Sequence, residues 1–256
     1  MQKLFFASSS KVMDTPEWVY SLEEAGYDGW EIMADGPYRL DDPKAFAQVK
    51  SVLETTGLAA SVHAPYNDLN LASLNYPIWK ESIRQISACI AHAADLTDRV
   101  TIHPGYISTI GALDPHRTWA LQKEALVEIG KVAVEHGVLA CLENMIGVAE
   151  FLCRFPLEII GMTEGIEGVG ITCDLGHANT AGQVGPFLEH LELFNHMHLH
   201  DNHGLSDEHL ALGDGSIDWA AIGPQVKRRY SGIAVVEGRS LEEARRSAAA
   251  FRRWFV

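Results

Sequence analysis

No apolar run in this chain approaches the roughly 20 residues that a membrane-spanning helix needs, and no membrane association is expected. The opening stretch, MQKLFFASSSKVM, is short and reads as a first strand rather than a signal peptide. Nothing marks export, so a cytoplasmic location is expected. Cysteine is scarce: Cys89, Cys141, Cys153 and Cys173 are scattered, with no CxxC pair. Cys141 and Cys173 fall inside strand-like runs, which points to buried free thiols rather than disulfides. Basic residues are also few, 20 Lys and Arg against 34 Asp and Glu, for a formal net charge of −14. That weighs against a broadly basic nucleic-acid surface. It does not exclude nucleic acid, because bound divalent cations would cancel charge where it matters. No repeat, low-complexity tract or linker breaks the chain, which reads as one domain over residues 1–256, and no protein partner is evident.

Strand-like and helix-like segments alternate eight times. Residues 3–7, 27–33, 58–63, 99–103, 138–143, 168–174, 193–200 and 232–237 read as strands. Residues 15–25, 43–56, 76–96, 115–136, 150–163, 186–191, 219–229 and 241–254 read as helices. Thr15 with Pro16 is expected to cap the first helix, and Pro156 to interrupt the fifth. Eight strand–helix units in this length predict an α/β fold, a (β/α)₈ TIM barrel with parallel strands.

Histidine is plentiful, and it is concentrated. The stretch from Asn195 to Trp219 holds five histidines and four aspartates. His196, His198 and His200 alternate, so a strand would turn all three to one face. In a parallel barrel the chemistry lies at the C-terminal ends of the strands. The third to sixth strands end in His63, in His103, in Glu143-Asn144, and in Asp174 with His177 beyond it. The seventh supplies His198, with Asp207 and His209 in the loop after it, and the eighth ends in Glu237. Nine imidazoles and carboxylates at one mouth predict a divalent-metal site, because buried charge is costly unless paired or metal-bound.

The sharpest motifs are Cys-Asp-x-x-His-Ala at 173–178, Met-His-Leu-x-Asp at 197–201 and Asp-x-His-x-x-Leu-Gly-x-Gly at 207–215. In these the chain resembles the xylose isomerase-like barrel superfamily, also called AP endonuclease family 2, and its metal-ligand pattern is most similar to that of the endonuclease IV family. The resemblance implies up to three divalent ions, most naturally zinc, with manganese or iron as alternatives. His63 and His103 would hold the first. Asp174, His198 and Glu237 would hold the second, with Glu143 bridging these two. His177, Asp207 and His209 would hold the third. It also implies hydrolysis of a phosphodiester, such as that of damaged, abasic DNA, by metal-activated hydroxide. Tyr66 matches a tyrosine that faces DNA in that family.

The chain departs from that pattern at residues 144–148, Asn-Met-Ile-Gly-Val, where the family has a glycine-rich turn. Arg39 is the only base in the run 33–39 that follows the second strand, and polar Asn67 follows Tyr66. The chain is also similar to sugar (phosphate) and hydroxypyruvate isomerases and epimerases of the same superfamily. On that reading Glu143, Asp174, His198 and Glu237 bind one metal, Glu143 and Glu237 shuttle a proton, and the substrate is a small sugar or phosphorylated sugar. Those enzymes usually place an arginine where Gly204 stands here. Asn144 and His200 are further substrate-contact candidates. His196 reads as a deeper, hydrogen-bonded core histidine. His92, His116, His136 and His190 fall on helices, away from the mouth.

Overall fold

The computed structural model describes residues 2–8 and 16–256. Eight parallel strands close into a barrel in sequence order: β1 (Lys3–Ser8), β2 (Gly29–Met33), β3 (Ala59–His63), β4 (Arg99–Ile102), β5 (Leu139–Glu143), β6 (Val169–Asp174), β7 (His196–Leu199) and β8 (Ile233–Gly238). Pairing of β1 with β8, Lys3 opposite Ile233 through Ser8 opposite Gly238, closes the ring. The helices are α1 (Tyr20–Ala25), α2 (Pro43–Thr55), α3 (Tyr76–Ala93), α4 (Pro115–His136), α5 (Pro156–Thr163), α6 (Leu175–Thr180), α7 (Val184–Leu188), α8 (Trp219–Arg229) and α9 (Leu241–Phe255). The expected (β/α)₈ barrel is therefore present. No helix among the described residues is long and apolar enough to cross a membrane.

Local chemistry sets the helix starts. Asp42 and Asp114 each precede a proline and accept hydrogen bonds from backbone N–H groups of the first turn, capping α2 and α4. Ser240 does the same for α9. α5 begins at Pro156 instead of being interrupted by it. Residues 150–155 form a loop in which Phe151 bridges to Tyr106, and the Glu158 carboxylate accepts from the N–H groups of Arg154 and Phe155. The expected first helix is a 3₁₀ turn at Pro16–Val19 followed by α1, and the proposed cap at Thr15 lies outside the described residues.

Two layers of packing follow from strand alternation. Outward residues such as Phe6, Trp30, Ile32, Val62, Ile102, Leu142 and Met197 join the helices in one large apolar core. Inside the barrel Phe5, Ala7, Met33 and Val235 form a small apolar cluster, with Ile233 and Tyr66 against it. Below the rim lie buried polar residues, Glu31, Ser61, Thr101, Thr172 and His196. The four cysteines are buried free thiols.

Candidate metal centre

Strand register sets the depth of each group. Asp174 pairs with His198 and Met33 with His63 across adjacent strands. The C-terminal rim thereby brings His63, His103, Glu143, Asp174, His198 and Glu237 together. Two further devices complete the cluster. Asp174 is the N-cap of α6, its Oδ1 accepting the His177 N–H at 2.6 Å. The strand residue thus holds the helix that delivers His177. In the long loop after β7, buried Asp201 accepts from Trp219 Nε1 at 2.8 Å and from Gly213 N at 2.9 Å. This folds the loop back so that Asp207 and His209 reach the mouth. His209 takes a left-handed backbone, φ 49°, a strain that clusters at functional sites.

Three donor groups emerge. In the first, His63 Nε2 and His103 Nε2 are 3.1 Å apart and lie 3.4 Å and 2.9 Å from Glu143 Oε2. In the second, His198 Nδ1 lies 2.8 Å from Glu143 Oε1, 3.3 Å from Glu237 Oε1 and 3.9 Å from Asp174 Oδ2. In the third, Asp207 Oδ2 lies 2.9 Å from His209 Nε2 and 3.6 Å from His177 Nε2, and His209 Nδ1 lies 3.2 Å from Glu237 Oε2. Each cluster offers at least three ligand atoms within 4.8 Å of one another. Bonds of 2.0–2.2 Å in tetrahedral geometry put neighbouring ligand atoms about 3.3 Å apart, so most of these separations suit a shared divalent ion.

Orphaned polar atoms point the same way. Glu143 Oε2 and Asp174 Oδ2 are buried without a hydrogen-bond partner. A buried polar group left unpaired is costly, and a cation would satisfy both. Two tautomers are fixed as metal binding requires. His63 Nδ1 faces Ala64 O at 2.9 Å and His177 Nδ1 faces Asn144 O at 2.8 Å. A carbonyl only accepts, so Nδ1 carries a proton in each ring and Nε2 is the nitrogen left to face an ion.

The charges are interlocked. Burial opposes ionisation of Glu143, yet the rings of His198, His103 and His63 outweigh it and hold the carboxyl well below the usual range. Glu237 is opposed by burial too, and His198 and His209 bring it down to about 2. Against its own burial, His209 is raised to about 10 by Glu237 and Asp207. Imidazolium protons here balance carboxylates that divalent ions would otherwise neutralise.

The cluster opens on a cavity of about 490 Å³. One wall carries His63, His103, Glu143, His177, Asp207, His209 and Glu237. The other is mostly apolar: Met33, Tyr66, Leu69, Tyr106, Met145, Ile146 and Phe151. Neither lysine nor arginine is among the described lining residues. Tyr66 stacks on His103, ring centroids 4.4 Å apart.

Asn144 and His200, expected to touch substrate, sit behind the cavity. Asn144 is fully buried. Its amide spends both ends on the Asp174 backbone, accepting from N at 2.8 Å and donating to O at 2.9 Å. The His200 ring is also fully buried, stacked on His209 at 4.2 Å, with Nε2 3.3 Å from both Asp174 Oδ1 and Asp207 Oδ1. It packs against Gly176, where any Cβ would come within 2.1 Å of the ring. His203 is exposed and contacts Glu208. Sequence reasoning missed Glu31, which is wholly buried between His196 and His198. The only signal for it was an acid in the middle of an apolar strand, Gly-Trp-Glu-Ile-Met.

A closed eight-stranded barrel with imidazoles and carboxylates converging on its C-terminal rim defines the class of a (β/α)₈ barrel enzyme. The chain belongs to the xylose isomerase-like TIM barrel family, whose model matches residues 19–254. The uncharacterized protein MJ1311 of Methanocaldococcus jannaschii is 32% identical over 253 residues, covering 94% of this chain and 86% of that one. Among solved structures, a D-tagatose 3-epimerase-like protein aligns with a TM-score of 0.89 at 29% identity, covering 99% of this chain and 97% of its own. Endonuclease IV from Thermus thermophilus shares the fold, with a TM-score of 0.69 at 22% identity and 98% of each chain covered.

Proposed function

We propose that this chain is a metal-dependent phosphoester hydrolase with a three-cation centre of the endonuclease IV kind. His63 and His103 hold one ion, Asp174, His198 and Glu237 a second, with Glu143 between the two, and His177, Asp207 and His209 a third. Zinc suits this nitrogen and oxygen donor set, and manganese or iron also fit it. Such ions, when bound, supply Lewis acidity and a strong oxygen nucleophile at neutral pH.

The chain's own residues do the rest. Glu143 turns one oxygen to each of the first two groups and so ties their positions together. Asn144 holds the Asp174 backbone, and His200 braces Asp174 and Asp207 from behind. Tyr66 and the apolar wall keep water from the body of the substrate and orient it across the cation positions. With 20 basic against 34 acidic residues, a small phosphorylated substrate is favoured over duplex DNA, whose flanking phosphates call for basic partners.

The observation that carries this reading is the His63–His103–Glu143 group. A one-metal isomerase working through Glu143, Asp174, His198 and Glu237 has no use for two further imidazole nitrogens 3.1 Å apart.

Sugar epimerisation is the second reading. Glu143 Oε1 and Glu237 Oε1 both approach His198 Nδ1, at 2.8 Å and 3.3 Å. Two carboxylates thus flank one cation position, as a proton shuttle between adjacent carbons needs. The likeness to the D-tagatose 3-epimerase-like protein supports it as well. The two readings separate when zinc- and manganese-loaded protein is assayed on bis(p-nitrophenyl) phosphate, an abasic-site oligonucleotide, D-tagatose and D-fructose. Cleavage of a phosphoester without ketose turnover is the expected result. Ketose epimerisation without any cleavage would overturn the hydrolase.

A further inference from the structure

Below the rim the barrel interior holds a carboxylate that neither reaction uses. Glu31, on β2, is wholly buried. Its Oε1 lies 2.8 Å from His198 Nε2. Its Oε2 lies 2.7 Å from His196 Nε2 and accepts from Ser61 Oγ at 2.8 Å. His198 thus stands between two sets of carboxylates, Nε2 facing Glu31 below and Nδ1 facing Glu143 and Glu237 above. An ionised carboxylate this deep is retained only where its partners repay the loss of water.

Glu31, His196 and His198 are close enough to hold an ion themselves. Glu31 Oε2 is already taken by His196 Nε2 and Ser61 Oγ, while Glu31 Oε1 faces His198 Nε2 as a close ion pair. Glu31 and His196 are also absent from the cavity lining.

We infer that Glu31 is a positioning residue, which fixes His198 with its proton on Nε2 and its Nδ1 lone pair turned to the cation position shared with Asp174 and Glu237. His196 and Ser61 hold Glu31 in turn, so the orientation of one ligand is set from the floor of the barrel. Without Glu31 the ring loses its bias between the two nitrogens, and Nδ1 no longer presents a lone pair by default. The inference rests on His198 being a ligand, which the hydrolase and the epimerase readings share.

Zinc binding to the intact chain tests it without any substrate. Glu31→Ala should weaken one zinc by about 10–100-fold in chelator competition, the range for loss of an outer partner of a ligating histidine, and leave the other ions in place. Glu31→Gln, nearly isosteric, should lose less. In zinc-loaded wild type, ¹⁵N-edited NMR should show an exchange-protected Nε2–H on His198, which disappears in Glu31→Ala. If Glu31→Ala fails to fold, Glu31→Leu, which fills the space but offers no acceptor, decides. A folded variant with parental zinc affinity at every position and an unchanged Nε2–H would overturn the assignment. So would an equal weakening of all the ions. Failure of the hydrolase reading would appear in the substrate assays and leave these zinc measurements unmoved.

Discussion

His63 Nε2 and His103 Nε2 face each other at 3.1 Å. His63 Nδ1 donates to Ala64 O, so Nε2, turned to His103, is the nitrogen left to face an ion. Glu143 Oε2 completes a triangle with them. The three atoms are close enough to one another to be ligands of one shared cation. His103→Ala should therefore leave the barrel folded, since the residue ends a strand at the mouth, while removing one ion. Phosphoester cleavage should fall by at least about 100-fold, the upper range for loss of a mere outer partner. Elemental analysis and kcat/KM check the two arms. Ketose turnover that persists at the parental rate in this variant would favour the epimerase.

His209 has the second telling geometry. Its left-handed backbone is one that asparagine tolerates well. His209→Asn should keep the loop and lose the imidazole that contacts Asp207 and Glu237. The expected outcome is an unchanged far-UV circular dichroism spectrum, one ion fewer, and cleavage lowered by about 100-fold or more. Unchanged cleavage would remove the third cation from the account.

Glu237→Gln bears on both chemistries. The carboxylate is buried at the junction of the second and third groups, and as a proton shuttle such a residue contributes about 10²–10⁴-fold. Steady-state assays should show at least the lower figure in whichever reaction the enzyme performs. Full retention would mean that the reaction takes place elsewhere.

Asp201 is a test of stability. It is fully buried and gathers Trp219 Nε1, Gly213 N and Ile217 N, at 2.8, 2.9 and 3.2 Å. Asp201→Ala leaves these donors unpaired, and urea unfolding should report a loss of about 3 kcal/mol. The loop that carries Asp207 and His209 should loosen with it, so zinc affinity should fall as well. A midpoint unchanged from wild type would show that the loop is held by other contacts.

Much of this was legible in the chain. The rim residues stood out because each ended an apolar run at the point where a parallel strand meets its loop, and periodicity locates such points well. Other features carried no such sign. α6 spans six residues, too short for a helical period to show. Its start is hidden because Asp174 serves both as strand end and as helix cap. His200 continues the alternation of His196 and His198 on paper. The strand stops at Leu199, so the His200 ring turns aside to stack on His209 instead of lining the cavity. Glu31 was missed because nothing local marks it. Its meaning lies in two histidines 165 and 167 residues away, brought to it only by closure of the barrel.

The central claim is the number of cations, and metal stoichiometry measures it most directly. Protein purified without chelator or affinity-tag metal should carry about three zinc-type ions per chain by elemental analysis, one for each donor group. About one ion per chain, readily exchanged for manganese or magnesium, would contradict the three-cation hydrolase and leave the single-metal epimerase in its place.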